Sequence, residues 1–304
     1  MKVLVTGGAG FIGSHACRAL LAEGHEVTVL DDLSSGDAAA IPQGCDFIHA
    51  DLRDSLDALV GMDAVWHLAA NPEVRTGETE PGSHYELNVQ MTWDLLEGMR
   101  QHGVKKLVFT STSTVYGTAE VMPTPEDYGP LYPISVYGGA KLACEALIAA
   151  QAGTFGLDAL LFRFANVVGP GSNHGVTYDF VQKLRADPTC LEILGDGTQT
   201  KSYVHVADTV AAMVHASNAG LAGVHAFNVG SEDGIPVTEI ANIVSDVLGV
   251  KPAYRFTGGA SQGGAGWKGD VKHMGLAIDR MKALGWQPKH SSAEAIRDAA
   301  RALA

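Results

Sequence analysis

Lys2-Val3-Leu4-Val5-Thr6-Gly7-Gly8-Ala9-Gly10-Phe11-Ile12-Gly13-Ser14-His15 stands at the start of the chain, and its reading decides the fold. An apolar, β-branched run over residues 2–6 passes through spaced glycines into a stretch, 11–23, whose apolar residues recur at helical spacing. Strand, glycine turn and helix in that order form the first half of a βαβ unit. Gly7 allows the tight turn, Gly10 lets the backbone approach a pyrophosphate, and Gly13 permits close packing of helix on strand. The helix start then faces the anion with its free N–H groups. Gly7, Gly10, Phe11, Ile12 and Gly13 are therefore candidate contacts to a dinucleotide.

Working outward, residues 26–31, 46–50, 64–68, 106–111 and 159–164 read as further strands, with helices over 82–101 and 137–155 between them. Such alternation predicts an α/β fold, a Rossmann-type doubly wound parallel sheet. Beyond residue 166 the pattern shifts to longer loops, short strands and a helix near 238–248. The expected division is a dinucleotide-binding domain over 1–165 and a smaller α/β substrate lobe over 166–304. Segments within 203–229 return to the first domain as a helix (203–217) and a last strand (226–229). The stretch 258–266, GGASQGGAG, is expected to be mobile.

Asp31 ends the second strand, where a carboxylate can accept from both hydroxyls of an adenosine ribose; Asp32 beside it can share that role. No Arg or Lys lies between Asp31 and Asp51, and the acid would repel a 2′-phosphate, so NAD is expected rather than NADP. Asp51 and Leu52, after the third strand, are placed to meet the adenine. Leu68, Ala69 and Ala70, after the fourth, are expected to line the cofactor with their backbone.

Composition bounds the partners. The 304 residues are 46% hydrophobic and carry a formal charge of -13, with pI near 5.3. Clustered Lys and Arg, which a nucleic-acid partner needs for counterion release, are absent. No apolar run approaches the roughly 20 residues needed to span a bilayer. The strand begins directly after Met1 with no secretory leader ahead of it, so a soluble, cytoplasmic protein is expected. Cys17, Cys45, Cys144 and Cys190 lack disulfide or ligand spacing, and the twelve histidines lack it too, so no metal site is expected.

Tyr137 and Lys141 open an apolar helix four residues apart, on one face. A cation near a phenol stabilises the phenolate, so Lys141 is expected to lower the Tyr137 pKa toward neutrality and make it a base for a sugar hydroxyl. Thr112 lies 25 residues before Tyr137 at the carboxyl end of a strand, where open sheets bind ligands.

The segments TGGAGFIGSH (6–15), HLAA (67–70), TSTSTVYG (110–117), Tyr137-x-x-x-Lys141 and RFANVVGP (163–170) together resemble the extended short-chain dehydrogenase/reductases. NPEVRTGETEP, GPGSNHGVTYDF and LGDGTQTKSYVHV are most similar to the archaeal-type UDP-glucose (UDP-galactose) 4-epimerases. The resemblance implies a catalytic Thr112, Tyr137 and Lys141, with Tyr137 taking the C4 hydroxyl proton to give a 4-keto sugar. It also implies Lys141 on the nicotinamide ribose, Asn88 on the cofactor side, Asn166 on the diphosphate of a UDP-sugar, and a homodimer formed by the helices near 82–101 and 137–155. A reductase or dehydrogenase on a related nucleotide-sugar is the alternative, and a non-catalytic NAD-binding sensor a remote one. Related dehydratases carry Asp-Glu after the catalytic Thr, whereas Ser113-Thr114 stands here. Where the family pattern places a phosphate-binding Arg, this chain has Lys201, and the Arg expected before Gly269-Asp270 is replaced by Trp267-Lys268. Lys201 and Asp270 are the remaining candidate substrate contacts.

Overall fold

In the computed structural model, which describes residues 1–258, 264, 266, 267 and 269–304, the elements follow the alternation read above. They begin β1 (Lys2–Thr6), α1 (Phe11–Ala22), β2 (Glu26–Asp31), β3 (Asp46–His49), β4 (Ala64–His67), α2 (Thr76–Thr79) and α3 (Pro81–His84). A π-helical segment, Tyr85–Gln90, runs into α4 (Met91–His102), β5 (Lys106–Thr112), α5 (Val136–Phe155) and β6 (Asp158–Phe164). Then come β7 (Asn166–Val168), α6 (Val176–Ala186), β8 (Cys190–Ile193), β9 (Thr200–Lys201), β10 (Tyr203–His205), α7 (Val206–Ser217) and β11 (Val224–Val229). The chain ends with β12 (Ile235–Pro236), α8 (Val237–Leu248), β13 (Ala253–Phe256), β14 (His273–Met274), α9 (Asp279–Ala283) and α10 (Ser292–Leu303).

Seven strands form one sheet in the order β11-β6-β5-β4-β1-β2-β3, a doubly wound Rossmann-type topology whose direction of winding reverses between β1 and β4. Its pairs from β3 through β5 run parallel. Parallel strands are covered on both faces, which is why residues 3–6 of β1 and all of β4 are buried without alternation. The described residues divide into two compact units. The first comprises 1–115, 136–163 and 210–227, and the second 116–135, 164–209 and 228–304.

The first unit packs Leu4, Leu30, Val65 and Phe109 of the strands against Leu95, Leu96 and Met99 of α4 and Cys144 and Ile148 of α5. In the second unit, α6, α8 and α10 close over short strands around Phe180, Leu191, Ile193, Ile240 and Ile296. His205, expected from sequence to be a packed structural residue, accepts from Ala207 N and pairs with Asp298 at 3.0 Å there. Most of the glycine-rich stretch 258–266, for which mobility was expected, lies outside the described residues.

The helix expected over 82–101 runs without interruption through α3, the π segment and α4, with its turn widened over Tyr85–Gln90. Asn88, within that widened turn, is buried. Its Oδ1 accepts from Asn71 N at 3.0 Å, while its Nδ2 donates to Asn71 O and to His84 Nδ1. A widened turn lets this polar side chain hold a distant loop, a use of π geometry common near functional sites.

Leu95 is fully buried in the first unit. Leu95→Ala is expected to cost about 2–5 kcal/mol, read as a lowered midpoint in urea unfolding.

Candidate active site

The glycine crossover has the shape that its spacing implies. Gly7 has φ +72°, and a Cβ on it would lie 2.5 Å from Ala69 N; a Cβ on Gly13 would lie 2.0 Å from Gly7 O. Any larger residue at either position would force the turn or the helix away. At Gly10 a Cβ would meet only Gly7 O, at 3.2 Å, so the cradle opens there. The N-terminus of α1 has no side-chain cap and no acidic residue in its first turn, leaving Phe11, Ile12 and Gly13 N–H groups as anion donors. Leu68 and Ala69 hydrogen-bond Thr6 through their backbone N–H groups, which runs that segment beside Gly7. Ala70 follows it.

Asp31 is buried at the end of β2, its Oδ2 accepting from Ala9 N and its Oδ1 from Leu33 N, each at 2.9 Å. Those two bonds fix the carboxylate against the glycine turn and leave further lone pairs on both oxygens. Asp32 is exposed and accepts from Ser34 N and Oγ, as a turn residue does. Asp51 caps a short helical turn and pairs with Arg53 at 2.6 Å, and Leu52 is buried in the core. This donor set, with an open glycine cradle, an uncapped helix start and a fixed carboxylate, fits a dinucleotide.

Thr112, Tyr137 and Lys141 come together at the carboxyl end of β5. Lys141 is 3% exposed; its Nζ donates to Thr110 O at 3.0 Å and lies 4.8 Å from the centre of the Phe109 ring. Burial pulls its pKa down to about 8, against support from Cys144 and Glu145. Thr112 Oγ1 accepts from Thr114 N and hydrogen-bonds the Tyr137 hydroxyl. The expected acidification of Tyr137 is corrected by the structure: burial pushes the phenol up to about 12, with the Thr112 hydrogen bond pulling the other way.

Two neighbours escaped the sequence reading. The His84 ring lies 5.8 Å from that of Tyr137, accepting from Asn88 at Nδ1 and hydrogen-bonded to Thr76 at Nε2, with burial lowering its pKa. His67, held by Thr6 and Thr92, is pulled down to about 3 by burial and by Lys141, so it stays neutral. No short-range pattern marks His84, and His67 is read only as the first residue of HLAA, with no role given to it. Asn88, expected on the cofactor side, gives its amide to Asn71 and His84.

In the second unit, Asn166 Nδ2 donates to Ser202 O at 3.1 Å. Lys201 and Asp270 meet each other at 2.5 Å, and the Lys201 ammonium also lies 5.2 Å from the Trp267 ring centre. The charge that replaces the family's Arg is thus largely matched by Asp270. Arg255 pairs with Glu192 at the surface, and Lys268 lies outside the described residues. Among the described residues no group of His, Cys, Asp and Glu is arranged to hold a metal, and no helix is long and apolar enough to cross a membrane.

Comparison with known proteins agrees with this geometry. Residues 3–230 match the model of the NAD dependent epimerase/dehydratase family. The UDP-glucose 4-epimerase of Corynebacterium glutamicum is 33% identical over 318 residues, covering 97% of this chain and 93% of that one. A crystal structure of a UDP-galactose 4-epimerase superposes with a TM-score of 0.91 at 46% identity, covering 100% of this chain and 98% of that one. The Thermus thermophilus UDP-glucose 4-epimerase in complex with NAD gives a TM-score of 0.88 at 34% identity, with coverage of 100% and 99%.

An NMR titration of the Lys141 side chain should give a midpoint near 8, with the cation present below that pH and lost above it. A midpoint at the ordinary lysine value would contradict the burial described here.

Proposed function

The chain belongs to the NAD-dependent epimerase/dehydratase family, and from that premise we propose that it interconverts UDP-galactose and UDP-glucose through a 4-keto sugar, with NAD as its cofactor. The observation that carries this reading is the convergence of Thr112, Tyr137 and Lys141 in the same unit as the glycine crossover and Asp31. The cofactor, when bound, accepts and returns the hydrogen at C4 of the sugar. The protein positions the rest.

Asp31 takes the adenosine ribose hydroxyls, and Gly10, Phe11, Ile12 and Gly13 present the pyrophosphate cradle, flanked by Leu68, Ala69 and Ala70. Asp32, Asp51, Leu52 and Asn88 are secondary here, since their side chains already serve turns, an ion pair, the core and the Asn71 loop. Asn166, Lys201 and Asp270 of the second unit are assigned to the nucleotide-sugar. Thr112 donates to the Tyr137 oxygen and so favours the phenolate. Tyr137 takes the C4 hydroxyl proton and, once the keto sugar has turned over, returns it to the oxygen on the other face. A phenol near 12 is protonated at neutral pH and so cannot accept the C4 proton as it stands. The reading therefore requires the phenolate to be favoured further in the loaded site, where the nicotinamide carries positive charge. Lys141 holds the nicotinamide ribose and contributes its own charge.

Hydroxyl groups alone follow Thr112, at Ser113 and Thr114, so an acid for eliminating water from the sugar is lacking at that place. This favours epimerisation over dehydration. Tyr85, Trp93, Val136 and Phe155 are exposed apolar residues on the π segment, α4 and α5, and they support a homodimer formed through those helices.

Incubation with UDP-galactose should yield UDP-glucose without net formation of reduced nicotinamide. Tyr137→Phe should retain NAD and lose about 10²–10⁴-fold in kcat. Stoichiometric reduced nicotinamide would instead identify a dehydrogenase.

A further inference from the structure

Beneath the reacting groups lies a buried ion cluster that the proposed reaction does not use. Glu145, 5% exposed, sits on α5 one turn after Lys141, and Arg163, 7% exposed, stands on β6. Arg163 donates from Nη2 to Glu145 Oε2 at 2.6 Å and from Nε to Oε1 and Oε2 at 3.0 and 3.2 Å. The same carboxylate accepts from Ser111 Oγ at 2.5 Å, and Ser111 directly precedes Thr112 on β5. One carboxylate therefore joins α5, β5 and β6.

An ion pair in this position is a poor way to gain stability. Taking both charges out of water offsets much of their attraction, and well-packed apolar side chains of similar volume hold a helix to a sheet as well or better. What apolar packing does not supply is directional contact. Tyr137, Lys141 and Glu145 are spaced i, i+4 and i+8 on α5, and they engage Thr112, Thr110 and Ser111, three consecutive residues of β5. We propose that Glu145, oriented by Arg163, is a positioning residue for the epimerisation: through Ser111 it sets the register of α5 on β5, so that the Tyr137 and Thr112 hydroxyls meet. This rests on the reading of the site given above.

The bracket explains why polar groups occupy a place that the surrounding core would fill with apolar ones. It also supports the Lys141 cation, since the Glu145 charge opposes the effect of burial on that ammonium. The charged groups that face the carboxylate are Lys141 on its own helix and Arg163 on the adjoining strand.

Two NAD-loaded variants, Ser111→Ala and Glu145→Gln, test the bracket beside the unaltered protein. Ser111→Ala removes only the link to β5 and leaves the ion pair in place. Its kcat for UDP-galactose should fall about 10–100-fold, with KM within about twofold of the unaltered protein. Phenolate absorbance, taken as the difference from the matching Tyr137→Phe protein, should titrate about half a pH unit or more higher in Ser111→Ala, because the Thr112 hydrogen bond that favours the phenolate is displaced. Glu145→Gln should lose kcat similarly and also lose activity at a lower alkaline pH, as Lys141 gives up its proton sooner. Ser111→Ala with unaltered kcat and an unmoved phenol midpoint overturns the proposal, whatever happens to Tm. An unaltered protein that does not epimerise UDP-galactose overturns the reaction reading instead, and the phenol titration then decides the bracket alone.

Discussion

A buried ammonium donating to a strand carbonyl, Lys141 to Thr110, is the contact around which the first unit's site is organised. A cation held 3% exposed would be costly without partners, and here a carbonyl, an aromatic face and the field of Glu145 replace the lost water. Because those partners stand on β5 and α5 itself, the charge can be accommodated in one register of the helix on the strand. That register carries Tyr137 to the end of β5, where Thr112 is waiting. The electrostatic requirement of one lysine and the geometric requirement of one tyrosine are met by the same packing.

The glycine crossover imposes the complementary constraint at the other end of the unit. With a Cβ on Gly13 only 2.0 Å from Gly7 O, the helix can approach β1 as it does because that atom is missing. Asp31 completes the arrangement by tying the end of β2 to Ala9, inside the turn, so the carboxylate is positioned by the backbone it helps to hold. The region proposed for the cofactor is thus built largely from main-chain geometry and one fixed acid, whereas the region proposed for the chemistry depends on buried side-chain networks.

That contrast explains what could be read in advance. Strand, glycine turn and helix are local, so residues 2–13 announced the Rossmann-type sheet, and Asp31 followed from its place at a strand end. The Tyr137 and Lys141 pair was legible because four residues make one helical turn. Other features depend on partners remote in sequence. Asn88, in the π-helical turn, bonds Asn71, 17 residues earlier, and Lys201 finds Asp270, 69 residues later. The acidity of Tyr137 was misjudged because helical spacing reports the distance between two side chains along a helix and says nothing about how much water surrounds them. Glu145 stood one turn after Lys141 in plain view, but its meaning came from Arg163 and Ser111 on two strands.

The proposed reaction has one chemical centre, the C4 carbon of a nucleotide-linked sugar, which that reading brings to the hydroxyls of Thr112 and Tyr137. The most direct measurement is to supply UDP-galactose deuterated at C4 in ordinary water and to follow the label in the product by NMR. The proposed reaction predicts UDP-glucose with the deuterium still on C4, because in it the C4 hydrogen would be removed and returned without exchange while only the hydroxyl proton would pass through Tyr137. Product with the label lost to solvent, or no product from an NAD-loaded protein, would contradict the assignment.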